Sequence, residues 1–106
     1  CDRIAFAHIR NLRHYPNGDF SEVSHRDCDG DIGILEIMRA YHDCGYTGYV
    51  RPDHGRHLWG EESHCRPGYG LYDRALGIMY LWGCWYMLER LEPDSGQLRS
   101  ISSDAK

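Results

Sequence analysis

The chain has 106 residues, a formal net charge of −4 and charges of both signs spread along its length. No Lys/Arg run marks a nucleic-acid surface and no basic amphipathic stretch marks a membrane surface. The apolar block 75–88 is flanked by charged residues and falls short of the ~20 apolar residues that a bilayer requires, so it predicts a buried helix. No signal or transit sequence precedes the first residues, which favours a cytoplasmic protein and a chain whose start lies upstream. The five cysteines, Cys1, Cys28, Cys44, Cys65 and Cys84, contain no CxxC and predict free, reduced thiols rather than a disulfide framework or structural zinc.

In chain order, residues 3–9 form an apolar run that predicts a buried strand, with His8, Arg10 and Asn11 at its end. Residues 12–31 read as a long polar loop, with turn signals at Pro16-Asn17-Gly18-Asp19 and Cys28-Asp29-Gly30-Asp31. The spacing of Ile34, Leu35, Met38 and Tyr41 predicts a helix over 32–44, with Asp31 as N-cap and Gly45 as its stop. Residues 46–52 predict a second strand, closed by Pro52. A second polar loop spans 53–70 and contains Gly55, Gly60, Pro67, Gly68 and Gly70. A long helix is expected over 71–91, and residues 93–106 read as a polar, disordered tail.

The order is strand, loop, helix, strand, loop, helix. It predicts an α/β fold made of two βα units. A complete (β/α)8 barrel needs eight such units; if the fold is a barrel, residues 1–92 are two of them.

In such folds the chemistry sits where strands end. Here both strand ends deliver suitable residues: His8 with Arg10 and Asn11, and Asp53 with His54. An imidazole and a carboxylate brought together by neighbouring parallel strands suit Mn, Fe or Zn better than Ca. Taken singly, His8 reads as a hydrogen-bonded structural residue and Asp53 as a turn cap; their joint placement is what points to a metal. Three weaker groups favour structural readings. His25 with Asp27, Cys28, Asp29 and Asp31 lacks EF-hand spacing and reads as a solvated loop. His64-Cys65 are adjacent and poorly placed to act as base and nucleophile. Tyr80, Trp82, Trp85 and Tyr86 read as helix packing.

Several motifs together resemble one family. Phe6-Ala7-His8-Ile9-Arg10-Asn11, Phe20-x-Glu22-x-x-His25, Gly48-Tyr49-Val50-Arg51-Pro52-Asp53-His54-Gly55 and the stretch from Arg66-Pro67-Gly68-Tyr69-Gly70 to Gly77 occur in the order found in mannonate dehydratases. The match runs from about residue 3 to about residue 91 and resembles the C-terminal part of that family.

The resemblance implies a TIM barrel of the xylose-isomerase-like kind. It implies a lyase that dehydrates D-mannonate to 2-keto-3-deoxy-D-gluconate in glucuronate catabolism, using Mn²⁺ or another divalent cation such as Fe²⁺. It makes His8 and Asp53 metal ligands, His54 and Tyr69 the acid–base residues, and Arg10 and Asn11 substrate contacts. The partner implied is a small sugar acid, within a homo-oligomer of full-length chains. Two departures stand out. Gly33 replaces an Asp common in relatives, and the family's further ligands, a His and a Cys on earlier strands, have no counterpart here. A related metal-dependent isomerase or epimerase, or a catalytically inactive partial chain, is the competing expectation.

Overall fold

The computed structural model describes residues 1–91; the tail expected over 93–106 lies outside the described residues. Six regular elements follow one another: β1 (Phe6–Ile9), β2 (Leu12–His14), β3 (Phe20–Glu22), α1 (Ile34–Asp43), β4 (Tyr49–Pro52) and α2 (Leu71–Leu88). Strands β1 and β4 pair in parallel, with His8 opposite Arg51 and Ile9 opposite Pro52. The connection from β1 to β4 passes through α1, so the expected βα repeat is present in the order β1, α1, β4, α2. Both strands begin later than the apolar runs suggest, because Ile4, Tyr46 and their neighbours precede the ladder.

The loop expected over 12–31 is instead half regular. Strands β2 and β3 form an antiparallel hairpin, with Leu12 opposite Glu22 and His14 opposite Phe20. Its turn is the Pro16-Asn17-Gly18-Asp19 signal. Gly18 takes φ +93° there, and Asn17 Oδ1 accepts the Asp19 N–H at 3.0 Å. Strands this short leave little hydrophobic alternation to read, so the turn was visible and the ladder was not.

Helix α1 forms because Ile34 and Met38 recur on one face, and both are buried. Its N-cap is Gly33, which offers no side-chain acceptor. Asp31 does not cap the helix; its carboxylate accepts the His14 N–H from the hairpin. Asp27 serves instead, accepting the Leu35 N–H at 3.2 Å from the preceding 3₁₀ turn. The helix stops as expected at Gly45, φ +76°. There the Gly45 N–H donates to His42 O and the Tyr46 N–H to Tyr41 O, the paired bonds of a Schellman turn.

Helix α2 starts at a carboxylate cap supplied from a distance. Glu61, buried, accepts N–H groups from Leu58, Leu71 and Tyr72. These bonds, the one from Leu58 foremost, hold its carboxyl below the usual range. The buried stripe of α2 is Gly77, Leu81, Cys84 and Leu88, and the last three pack with Ile9, Ile34 and Met38 into the core. Each large apolar side chain so buried contributes about 1.5–3 kcal/mol. Close packing is enforced at Gly77, where a Cβ would lie 2.5 Å from the buried His25 ring.

Two expectations about packing and cysteines are corrected. Helix α2 is not buried all round: Leu71, Ile78, Met79, Trp82 and Tyr86 are exposed. Of the regular elements described, α1 and β4 pack against it, and loop residues such as His25 and Asp27 meet the same side. Tyr80 and Trp85 pack on the core as expected, but Trp82 and Tyr86 do not. Cys1 and Cys44 form a disulfide, where free thiols were expected. Their Cα atoms lie 6.0 Å apart because α1 runs back along the strands, returning its end to the start of β1; spacing in the sequence does not reveal this. Cys28, Cys65 and Cys84 are free, and burial pushes the Cys84 thiol up. No helix among the described residues is long and apolar enough to cross a membrane.

Candidate active site

The site lies where β1 and β4 end together. Along β1 the side chains alternate, so Ala7 and Ile9 face the core while His8 points to the opposite, open face. The β4 backbone continues one step past the ladder, with the Asp53 N–H donating to Ile9 O at 2.8 Å. That bond brings the Asp53 carboxylate beside His8, with Nδ1 to Oδ1 at 3.1 Å. The expected juxtaposition of His8 and Asp53 is therefore present.

Three more side chains complete the cluster. The Arg10 guanidinium donates to Glu22 Oε1 and lies 3.7 Å from Asp53 Oδ2. His54 Nδ1 lies 2.8 Å from Glu22 Oε1, and its Nε2 lies 3.8 Å from Asp53 Oδ2. Three cations or potential cations, His8, Arg10 and His54, thus interleave with two carboxylates, and all remain partly open to solvent. Glu22, the last residue of β3, joins the site in addition to the residues the strand ends predict. The signal was its place in the Phe20-x-Glu22-x-x-His25 motif, but its reach to His54 depends on the hairpin.

Asn11 leaves the site. It is almost fully buried, and its amide donates to Ser24 O at 3.0 Å and Arg26 O at 2.8 Å. Its Oδ1 accepts the N–H groups of Leu12 and Ile32. Both donor positions and both acceptor positions of the amide are used by backbone. Asn11 therefore ties the hairpin to the start of α1, and no group is left to meet a substrate as expected.

Tyr69 is brought near by backbone rather than by its phenol. Gly55 and Tyr69 form a parallel bridge, with the Gly55 N–H on Gly68 O at 3.0 Å and the Gly70 N–H on Gly55 O at 2.9 Å. A Cβ on Gly55 would fall 2.0 Å from Gly70 O, and one on Gly70 1.9 Å from Arg56 O. Only glycine permits this approach, which holds the Tyr69 loop one residue from His54. The Tyr69 ring itself is exposed and makes no hydrogen bond among the described residues. The loop is fixed below by Asp73, which is buried and takes three hydrogen bonds from Arg56. Burial alone would raise the Asp73 carboxyl; the Arg56 bonds outweigh it and hold the carboxyl below its usual range.

The His25–Asp31 group does not converge on a cation. His25 is buried with Nε2 on Ile9 O, Asp27 caps α1, and Asp29 and Asp31 accept from Ser24 and His14. Among the described residues no group of three or more His, Cys, Asp or Glu side chains is arranged to hold a metal. His8 and Asp53 nevertheless fit as a pair. Two ligands in neighbouring positions on one ion, each about 2.1 Å from it, sit about 3 Å apart, as these atoms do. They would make part of a coordination sphere.

A profile of the D-mannonate dehydratase (UxuA) family matches residues 1–95. The chain belongs to this family. Mannonate dehydratase 1 of Halalkalibacterium halodurans is 70% identical over 84 residues, covering 79% of this chain and 23% of that protein. Mannonate dehydratase 1 of Bacillus licheniformis is 62% identical over 96 residues, covering 91% of this chain and 26% of that protein. The crystal structure of mannonate dehydratase from Streptococcus suis serotype 2 superposes with a TM-score of 0.76 at 38% identity, over 93% of this chain and 27% of that one. The chain therefore spans about a quarter of the length of the curated relatives it matches. The comparisons assign the shared segment to the N-terminal part of the relatives, which overturns the expected C-terminal placement. A βα unit has the same local pattern at any turn of a parallel fold, so motif order does not number it.

Proposed function

We propose that this D-mannonate dehydratase family chain supplies part of the active site of a lyase that converts D-mannonate to 2-keto-3-deoxy-D-gluconate. The observation that carries the reading is the convergence of His8, Asp53 and His54 at the shared end of two parallel strands. The full-length protein would close the β1–β4 pair into a (β/α)8 barrel, where this is the end that bears catalysis.

Dehydration must remove the C2 proton and expel the C3 hydroxyl as water. His8 and Asp53 would hold a divalent cation, Mn²⁺ or Fe²⁺, with further ligands from parts of the full-length chain beyond this one. When bound, such an ion supplies charge stabilisation to the carboxylate side of the substrate as the C2 proton leaves. His54 stands next to Asp53 with one ring nitrogen turned toward it, suited to take or give a proton there. Tyr69, on a loop pinned by the Gly55–Gly70 contact, is an exposed phenol able to meet substrate as the second proton carrier. Arg10 is committed to Glu22 and Asp53 and would orient those carboxylates first.

The test is made in the full-length protein with bound metal. His54→Ala and Tyr69→Phe should each lower kcat by about 10²–10⁴-fold, the usual worth of a general acid or base. Normal kcat in either variant, with metal content unchanged, would remove that residue from the mechanism.

A further inference from the structure

We propose that Glu22 is a positioning residue for His54, holding its imidazole by an Nδ1–H bond so that Nε2 is the nitrogen turned toward Asp53. The inference deepens the dehydratase reading and takes its catalytic meaning from it, but its structural content stands on the geometry alone.

His54 Nδ1 lies 2.8 Å from Glu22 Oε1. A carboxylate only accepts hydrogen bonds, so Nδ1 must be the donor. With Nδ1 committed to Glu22 in either protonation state, Nε2 is the nitrogen left to exchange a proton. That nitrogen is the one turned toward Asp53, 3.8 Å from Oδ2. Proton transfer at His54 therefore occurs at Nε2, on the side where Asp53 and His8 meet.

Glu22 is itself held from two directions. Its backbone closes the hairpin opposite Leu12, and the Val23 N–H that follows donates to Asn11 O at 3.3 Å. Its carboxylate is paired with Arg10. The hairpin thus reaches across the end of β1 to set a ring carried by the loop after β4. This gives a use to β2 and β3, which otherwise contribute little to the core. Hydrogen-bond partners that fix the tautomer of metal-ligating histidines change activity by about 10–100-fold, and Glu22 should act on His54 on the same scale.

A merely structural Glu22 would serve only Arg10. Its removal would then cost stability and leave the His54 tautomer alone. The experiment uses the full-length protein made by placing residues 1–91 in the corresponding segment of the Halalkalibacterium halodurans relative. The metal-free protein carries ¹⁵N-labelled histidine, and a His54→Gln spectrum identifies the His54 signals. The parent should show Nδ1 protonated. Glu22→Ala should allow the Nε2–H form and lower kcat by about 10–100-fold with KM within about two-fold. Glu22→Gln, which keeps an acceptor oxygen, should restore the Nδ1–H form and recover part of kcat. An unchanged tautomer and kcat in Glu22→Ala, or a parent ring with Nδ1 bare, would overturn the proposal. A parent that forms no keto-deoxy acid would instead count against the dehydratase reading, while the tautomer comparison still decides the role of Glu22.

Discussion

The two loops that follow the strands are both polar and both reach the site, yet they are ordered in opposite ways. The loop after β1 makes its own secondary structure: β2 and β3 satisfy each other, Asn11 binds their flanks, and Glu22 projects from the last rung. The loop after β4 has no ladder of its own beyond a single bridge. It relies on two glycine backbones in contact, on the Asp73–Arg56 pair and on the Glu61 cap, all anchored to the start of α2. The first loop is a self-supporting arm, and the second is a strap whose position depends on where α2 begins. Residues that hold position within a rigid arm tolerate change nearby; residues on a strap lose their geometry when one contact fails.

Breaking the strap should have the largest effect. Gly55→Ala places a methyl group within 2.0 Å of Gly70 O, so the Tyr69 loop must move. In the full-length protein kcat should fall by about 10²-fold, since a 1 Å misplacement can cost that much. Steady-state kinetics on D-mannonate checks it. Next, Asp73→Asn removes the charge from a buried pair at the foot of the same loop and should cost about 1–3 kcal/mol by urea unfolding.

The arm should respond less. Gly18 has open space around it but φ +93°, so Gly18→Ala should cost about 1 kcal/mol through its left-handed backbone and leave kcat unchanged. The smallest effect is on pH dependence. Asp73 and Glu61 have folded carboxyls below their ordinary values. Their stabilisation is full above about pH 4, the unfolded carboxylate value, and is lost as pH falls through the lowered folded values. The urea midpoint should therefore decline below about pH 4, and the gap between parent and Asp73→Asn should narrow over the same range. A constant gap would show that Asp73 acts by packing alone.

Much of this arrangement is legible in the sequence because it follows local rules. The apolar run ending at His8 and Ile9 marks β1, the spacing of Ile34 and Met38 marks α1, and Gly45 ends it. Parallel pairing then puts His8 beside Asp53. What escapes the sequence depends on distant partners. Asn11 looks like a substrate contact beside Arg10, and only the folded chain shows backbone from residues 24, 26 and 32 using up its amide. Glu61 and Asp27 cap helices from well upstream of the usual N-cap position, and the Cys1–Cys44 pair joins residues from opposite ends of the first βα unit, so no spacing announces them. Glu22 belongs to the same class, since it reaches His54 only across the hairpin.

The most direct measurement is of product. The full-length protein carrying this segment is incubated with D-mannonate and Mn²⁺, with and without a chelator, and the products are assayed for the keto-deoxy acid and for isomers of mannonate. The account predicts the keto-deoxy acid, lost on chelation, restored by Mn²⁺ and absent from His54→Ala. A product that retains all its oxygen, with hydrogen moved but no water lost, would contradict it.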